Sequence, residues 1–189
     1  MKLETKRLIL REWSKEDLDD LVKGLNNQDI SRWMAYVPCP YTKKDAESWI
    51  NICSKDVNRD SYHFAIELKS ERKVIGGIDL RVNKSQGTAG GGLWINAKYH
   101  RKGYATEALT ARINFAFYKL GLRRIENGFF RGNIPSARLQ KKLGYKIEGL
   151  RREAYVCKAD GQIKDEYITA LLKKDWKEKE NRLSKQNNV

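Results

Sequence analysis

The chain has 189 residues, with 38 Lys or Arg against 24 Asp or Glu, and its formal net charge is +14 at pH 7. This length predicts one domain with a hydrophobic core, and no apolar run is long enough to cross a membrane. The opening segment from Met1 to Thr5 lacks the apolar core of a signal peptide, so we expect a cytoplasmic protein. The three cysteines (Cys39, Cys53 and Cys157) have no zinc-ligand spacing, which favours reduced thiols and predicts no metal site.

Runs of apolar and β-branched residues predict seven strands, and helical spacing of apolar residues predicts four helices. The predicted strands span residues 5–13, 62–68, 73–82, 90–96, 123–130, 145–150 and 162–172. Capping boxes at Ser14 and Thr42 begin the first two helices. The other two helices are predicted over residues 105–120 and 133–143.

The pattern favours a single domain over residues 1–176, followed by a polar tail over residues 177–189 that we expect to fray. Between the first two helices, residues 30–41 form an aromatic loop with two prolines. These aromatic side chains either pack beneath the loop or form a wall of a binding pocket.

A basic turn with one glycine connects the strand that ends near Asn96 directly to the third helix. The first amides of a helix lack backbone partners and lie at the positive end of its dipole, so they suit phosphate oxygens. Gly103 allows a diphosphate to approach the backbone, and Arg101 adds positive charge. The amides that converge there belong to Lys102, Gly103, Tyr104, Ala105 and Thr106. The glycine spacings of a Walker loop and of a dinucleotide-binding fingerprint are absent. A strand-to-helix turn that binds no ligand is the remaining alternative.

Residues 90–106 resemble the acetyl-CoA motif of the GNAT acetyltransferase superfamily. Its signature, Arg/Gln-x-x-Gly-x-Gly/Ala, corresponds here to residues 100–105, although His100 stands where Arg or Gln is usual. The stretch from Lys102 to Ala108 is similar to the branch that acetylates the N-termini of ribosomal proteins. Further blocks extend the resemblance over roughly residues 3–176, and they are 4–11, 133–149 and 165–167.

The resemblance implies an α+β fold, with a mixed, mostly antiparallel sheet of about seven strands flanked by four helices. In that fold two strands splay apart where the cofactor enters, and Gly90, Gly91 and Gly92 suit a bulge at such a point. A flexible loop is the simpler explanation of three glycines. The implied reaction is direct transfer of an acetyl group from acetyl-CoA to a primary amine, with a protein N-terminal α-amine favoured.

Acetyl-CoA is expected to bind at the basic turn and along the strand before it. Strand amides can pair with the pantetheine arm as another strand would, and one of them can face the thioester oxygen. By resemblance, Asn133 contacts the pantetheine arm. The cofactor-binding residues expected are Leu93, Trp94, Ile95, Arg101, Lys102, Gly103, Tyr104, Ala105, Thr106 and Asn133.

The residues available as general acid and general base differ from those of many relatives. Many of these relatives carry Tyr as the general acid at the position where this chain has Gln140. In the ribosomal-protein branch, Ser136 corresponds to the serine proposed to protonate the departing thiolate. Bonding to backbone amides in the first helical turn is its alternative role. Gly90 stands where members of that branch often carry Glu, so the sequence does not identify the general base. The carboxylates that remain as unranked candidates are Glu67, Asp79, Glu126 and Asp165.

Two other functions stay open, namely acetylation of a small-molecule amine (a polyamine or an aminoglycoside) and a catalytically silent acyl-CoA-binding or RNA-associated module. An α-amine has a pKa near 8, so a useful fraction is neutral at pH 7 and positioning can supply much of the acceleration. The charge of +14 suits coenzyme A, RNA or the ribosome as anionic partners, and it makes an acidic pocket for a polyamine less expected. The sequence names neither the acceptor nor the oligomeric state.

Overall fold

A computed structural model of the chain describes residues 1–55 and 60–186. The strands in these ranges are β1 (Lys2–Glu4), β2 (Leu8–Glu12), β3 (Ser61–Leu68), β4 (Lys73–Asn83), β5 (Thr88–Gly90), β6 (Leu93–Ile95), β7 (Arg124–Phe130), β8 (Lys146–Val156) and β9 (Ile163–Leu172). The helices are α1 (Leu18–Leu25), α2 (Gln28–Ser31), α3 (Lys43–Lys55), α4 (Tyr104–Asn114), α5 (Ile134–Leu143) and α6 (Lys173–Gln186). None of these helices is long and apolar enough to span a bilayer.

The strands form one mixed sheet in the order β1-β2-β3-β4-β5-β7-β9-β8, with β6 paired to β4. The pair of β5 and β7 is parallel, whereas the other neighbouring pairs are antiparallel. This confirms the mixed, mostly antiparallel sheet expected from the sequence. The described strands number nine rather than seven because β1 lies before the first predicted strand, where no strand was expected, and the fourth predicted strand is divided between β5 and β6.

Helix α6 covers residues where the sequence predicts a polar tail that frays. Its first turn is held by Trp176, which is buried and donates a hydrogen bond from Nε1 to Oδ1 of Asn114 at 2.8 Å. An ion pair of 2.9 Å between Lys146 and Asp175 adds a second attachment. Residues 177–186 of the expected tail thus belong to α6 in the structure, and residues 187–189 lie outside the described ranges.

The predicted strand 90–96 is interrupted at Gly91 and Gly92. A Cβ at Gly91 would lie 2.1 Å from the carbonyl oxygen of Asp79, so this close approach requires glycine. In a regular ladder the amide of Gly92 would donate to that carbonyl, but it donates instead to the Asp79 carboxylate at 2.6 Å. The freed carbonyl accepts a hydrogen bond from Nη1 of Arg112 at 3.0 Å.

The break separates the two strands that follow it. Strand β5 pairs with β7 as far as Gly90 and Glu126. Beyond that pair, β6 follows β4, and among the described residues it makes no ladder with β7. A gap between β6 and β7 is the result, and it confirms the splay expected at the three glycines.

Two apolar cores cover the two faces of the sheet. Leu93 and Ile95 pack in the larger core, beneath α4 and α5, whereas Trp94 packs in the smaller core beneath α1 and α3. The ring of Trp94 fills the space beside Gly24 and Gly77, where a Cβ would lie 2.4 Å and 2.7 Å from ring atoms. These glycines therefore allow α1 and β4 to lie close to the gap.

We expect Gly77→Ala to lower the free energy of unfolding by about 1–3 kcal/mol, because the added Cβ overpacks the core beside two tryptophan rings. Its Cβ would lie 2.7 Å from Nε1 of Trp94 and 2.9 Å from Cζ2 of Trp13. Gly149→Ala is the matched control, since a Cβ there would meet nothing within 4 Å. Urea unfolding monitored by circular dichroism measures both, and equal losses would contradict the packing described.

Candidate functional site

The gap between β6 and β7 is bordered by backbone groups of β6 whose direction follows from its pairing with β4. The amide of Asn96 donates to the carbonyl of Ile75 at 2.8 Å, and the amide of Asp79 donates to the carbonyl of Gly92 at 3.1 Å. In an antiparallel ladder the backbone polar groups point to alternate sides. Those of Trp94, midway between the two bonds, therefore face β4 and take part in the ladder.

The same alternation turns the backbone groups of Leu93 and Ile95 toward the gap. The carbonyl of Ile95 is already engaged at 2.6 Å by Nε2 of His100. The groups that can pair with an extended amide chain are thus the amide and carbonyl of Leu93 and the amide of Ile95. Of the three strand residues predicted from the sequence, Trp94 contributes its ring to the smaller core and no backbone group to the gap.

The basic turn predicted to bind phosphate lies at the start of α4. Gly103 occupies the N-cap position with φ +83°, a left-handed conformation that favours glycine. It has no side chain to cap the helix, so the amides of the first turn remain available to an anion. Arg101 and Lys102 are exposed beside it. The residues present therefore fit a diphosphate group.

Behind this turn, Arg7 and Glu107 join the turn between β1 and β2 to α4. Arg7 donates from Nη1 to the carbonyl of Lys102 at 2.9 Å and from Nε to the Glu107 carboxylate at 2.7 Å. Its guanidinium also lies 4.4 Å from the ring centroid of Tyr104. Sequence reasoning missed this contact, although Arg7 lies in the first block of the resemblance.

The pKa of Glu107 is lowered by this arrangement. Burial alone raises the pKa of the carboxyl group, but hydrogen bonds from Thr5 and from the backbone and side chain of Arg7 outweigh that effect. Glu107 is therefore ionised at neutral pH and holds Arg7 in place beneath the turn.

Asn133 and Ser136 lie together at the start of α5. Asn133 caps the helix, with Oδ1 accepting from the amide of Ser136 at 3.2 Å. Oγ of Ser136 accepts from Nε2 of Gln140 at 3.1 Å, which leaves the hydroxyl proton of Ser136 free to be donated. Gln140 is 3% exposed and is tied further to the carbonyl of Gly128 and the hydroxyl of Thr169. It fills the position of the missing tyrosine as a structural residue.

Two of the four candidate carboxylates, those of Glu67 and Asp165, are engaged away from the break. Glu67 accepts from Nε of Arg11 at 2.6 Å. Glu126 lies opposite Gly90 at the start of the gap, where it is 53% exposed and pairs with Arg124 at 2.9 Å. Asp165 accepts from the backbone amide of Glu153 at 2.9 Å.

The fourth carboxylate, that of Asp79, lies at the break itself. Its side chain is 16% exposed, Oδ1 accepts from Gly92 at 2.6 Å, and Oδ2 lies 3.3 Å from Arg81. It extends from the face of the sheet that also carries Gly77 and Trp94, because residues two apart on a strand share a face. The hydrogen bond from the interrupted strand thus distinguishes Asp79 from the other three carboxylates, which the sequence does not.

A cleft of about 580 Å³ opens beside the start of α5. A Cβ at Gly132 would lie 3.7 Å from the ring of Trp33, which places the cleft next to Asn133. Trp33 belongs to the aromatic loop, so this side chain forms a wall of the cleft. The lining residues are Gln28, Arg32, Trp33, Arg131, Asp160, Gln162, Ile163, Lys164 and Asp165.

The charges of this cleft are three cations and two carboxylates. Lys164 bonds Asp160 at 2.8 Å and lowers the pKa of that carboxyl group. Asp165 lies 3.5 Å from Arg131. No group of three His, Cys, Asp or Glu side chains in the described part of the chain could hold a metal ion.

Comparison with known proteins places these features among acetyltransferases. Residues 7–146 match a family model described as an acetyltransferase (GNAT) domain. The chain is 31% identical over 178 residues to the uncharacterized N-acetyltransferase YnaD of Bacillus subtilis, covering 93% of this chain and 99% of YnaD. It is 30% identical over 118 residues to the ribosomal protein uS5-alanine N-acetyltransferase of Escherichia coli, covering 61% of this chain and 60% of that protein. The crystal structure of a GNAT-family acetyltransferase from Bacillus anthracis shares 25% identity, with a TM-score of 0.78 and coverage of 92% of this chain and 99% of that one.

We expect Gly103→Ala to weaken binding of coenzyme A about tenfold. The free turn of the variant relaxes from the left-handed conformation, which costs an L-residue roughly 1–2 kcal/mol, and binding must restore it. The added Cβ would also lie 3.3 Å from Nη2 of Arg7. Gly121→Ala is the matched control, since Gly121 has φ +70° and nothing within 4 Å of its Cβ position. It carries the same backbone cost away from the turn. Calorimetric titration with coenzyme A compares them, and equal affinities would contradict a phosphate site at this turn.

Proposed function

This chain belongs to the acetyltransferase (GNAT) family, and on that premise we propose that its acceptor is the α-amine of a protein N-terminus. It is an N-acetyltransferase that uses acetyl-CoA. The observation that carries the proposal is the charge of the cleft beside α5, where cations outnumber carboxylates. The uS5-alanine N-acetyltransferase relative adds support from outside the structure.

A polycationic acceptor would need unpaired carboxylates in that cleft. Asp160 is bound by Lys164, and Asp165 is engaged by Arg131 and by the amide of Glu153. A peptide N-terminus brings one amine and a chain of backbone polar groups, which a mixed polar cleft can accept. Because an α-amine has a pKa near 8, about a tenth of it is neutral at pH 7, whereas a lysine amine needs much more help.

The acyl donor is held by backbone groups for the most part. When bound, acetyl-CoA supplies an acetyl group activated as a thioester. The first-turn amides of α4, from Tyr104 to Thr106, together with the amides of Lys102 and Gly103, hold its diphosphate, and the side chain of Arg101 adds charge. Leu93 and Ile95 pair with its pantetheine amides as an edge strand would. Asn133 keeps the start of α5 in place beside that arm.

The proton transfers are assigned to two side chains near the gap. Asp79 accepts the proton that leaves the attacking amine, through a carboxylate oxygen at the break. Ser136 donates its hydroxyl proton to the leaving sulfur, because its Oγ is oriented by Gln140. The amine attacks the acetyl carbon directly, with no covalent intermediate on the protein.

A panel of acceptors tests the proposed substrate class. We expect peptides with free N-termini to release coenzyme A from acetyl-CoA with a kcat/KM at least about tenfold above that of spermidine or an aminoglycoside, because the cleft favours one amine over several. An N-terminally blocked peptide with an internal lysine is the matched control and should be inert. Preference for the polycations would contradict the proposal, as would absence of release by any free peptide while coenzyme A binds.

Substitution of the two proton-transfer residues tests their roles. We expect Asp79→Asn to lower kcat about 100-fold, and Ser136→Ala about tenfold, since each removes one general acid or base. Asn retains an Oδ1 acceptor for the amide of Gly92, so the break should survive. Glu126→Gln is the control, because this exposed carboxylate borders the gap but pairs with Arg124 and does not bind the interrupted strand, and the variant should keep its rate. Equal rates for Asp79→Asn and Glu126→Gln would remove Asp79 from the mechanism.

A further inference from the structure

Arg112 is a charged residue in the larger core that the mechanism above does not use. It extends from α4 and is 0% exposed. Nη1 donates to the carbonyl of Asp79 at 3.0 Å and Nη2 donates to the hydroxyl of Tyr145 at 3.3 Å. In the described part of the chain Nε has no hydrogen-bond partner, and no carboxylate lies within ion-pair distance of the guanidinium. Because arginine stays protonated in proteins, a full positive charge is buried here without a carboxylate in direct contact.

The charge lies directly beneath the break between β5 and β6. A Cβ at Gly91 would lie 3.2 Å from Nη1 of Arg112. The carbonyl that Nη1 binds is the one left without its ladder partner when Gly92 turns to the Asp79 carboxylate. The missing ladder bond that opens the gap thus also holds the guanidinium at the apex of the gap, where β5 ends and β6 begins.

Burial makes this charge effective at a distance. Taking a cation out of water costs several kcal/mol unless it is compensated. The two neutral partners, a carbonyl and a phenol, compensate it in part. Nearby negative charge is therefore favoured more than it would be beside an exposed arginine, because the surroundings screen the interaction less.

Acetyl transfer generates such a charge. The amine nitrogen forms a bond to the acetyl carbon, the carbon–sulfur bond breaks, and its electron pair remains on sulfur while the amine proton passes to Asp79. Gln140 cannot act as the acid, because its amide is neutral and bound to Gly128 and Thr169. The hydroxyl of Ser136 is a weak acid. Stabilisation of the thiolate itself would lower the need for a strong proton donor.

We propose that the buried guanidinium of Arg112 stabilises the thiolate of coenzyme A at the apex of the gap, acting through its charge and without contact to the sulfur. Arg112 therefore acts on the reaction from the protein core, through its electric field at the sulfur. The inference rests on the cofactor site described above. It is independent of which amine is the acceptor.

Titration of the thiol of bound coenzyme A tests this role without any acceptor. The thiolate is followed by ultraviolet absorbance, and the complex with desulfo-coenzyme A is subtracted to remove the signal of the protein's own cysteines. We expect the pKa of the bound thiol to fall about one unit or more below an ordinary thiol value of about 8.5, a tenfold or greater gain in thiolate. Arg112→Met should reverse most of that gain, and Arg112→Lys should keep part of it.

The control is Lys119→Met, which removes the same formal charge from an exposed position and should leave the thiol pKa unchanged. A purely structural role would let Arg112→Met alter stability while the thiol pKa stays lowered, and this result would overturn the proposal. If Arg112→Met does not fold, the wild-type titration decides, since an unshifted thiol in the wild-type complex also overturns it. Tyr145→Phe, which removes a partner and keeps the charge, should retain most of the shift.

The outcomes separate this inference from the proposed substrate. A bound thiol with an unshifted pKa overturns the role of Arg112 and leaves the N-terminal acceptor standing. A lowered thiol pKa in a protein that acetylates no peptide supports Arg112 and overturns the acceptor assignment. Failure to bind coenzyme A at all overturns both.

Discussion

The site depends on how one interrupted strand satisfies its backbone hydrogen bonds. At Gly91 and Gly92 the ladder with β4 loses one regular bond, and an unpaired buried amide or carbonyl would each cost roughly 1–3 kcal/mol. The carboxylate of Asp79 takes the amide and the guanidinium of Arg112 takes the carbonyl. Two side chains from different elements thereby allow the sheet to open without leaving either group unsatisfied. The gap, the edge of β6 and the placement of both charged groups all follow from this arrangement.

Much of the fold could be predicted because its signals are local. Strand and helix periodicity, two capping boxes and the glycine-containing turn each occupy a few consecutive residues, and the structure has elements at all of these places. The sequence pattern did not predict helix α6, because the residues of this segment are strongly polar. Its attachment depends on Trp176 reaching Asn114, 62 residues earlier, and no local pattern reports such a contact.

The same distinction applies to the candidate site. The turn around Gly103 is contiguous in sequence, so the start of α4, the glycine at its N-cap and the exposed basic residues beside it could be predicted from residue types alone. The direction of the Trp94 backbone required the pairing of β6 with β4, and the ranking of four carboxylates required the position of the break. Arg112 was not singled out because one arginine in an amphipathic helix is ordinarily an exposed residue. Its burial results from the packing of α4 on the sheet, which no local pattern reports.

The contact between Arg7 and Glu107 joins residues 100 positions apart, so the turn proposed to receive the cofactor is completed by the first hairpin of the chain. Closing so long a loop carries an entropic cost that the contacts of the completed turn must offset. The coupling also works in reverse, because a ligand that binds the completed turn stabilises every contact on which that turn depends. Cofactor binding should therefore slow amide hydrogen exchange in β1 and β2, two strands that lie at the edge of the sheet and outside the gap. The edge hairpin and the cofactor turn are in this sense one cooperative unit.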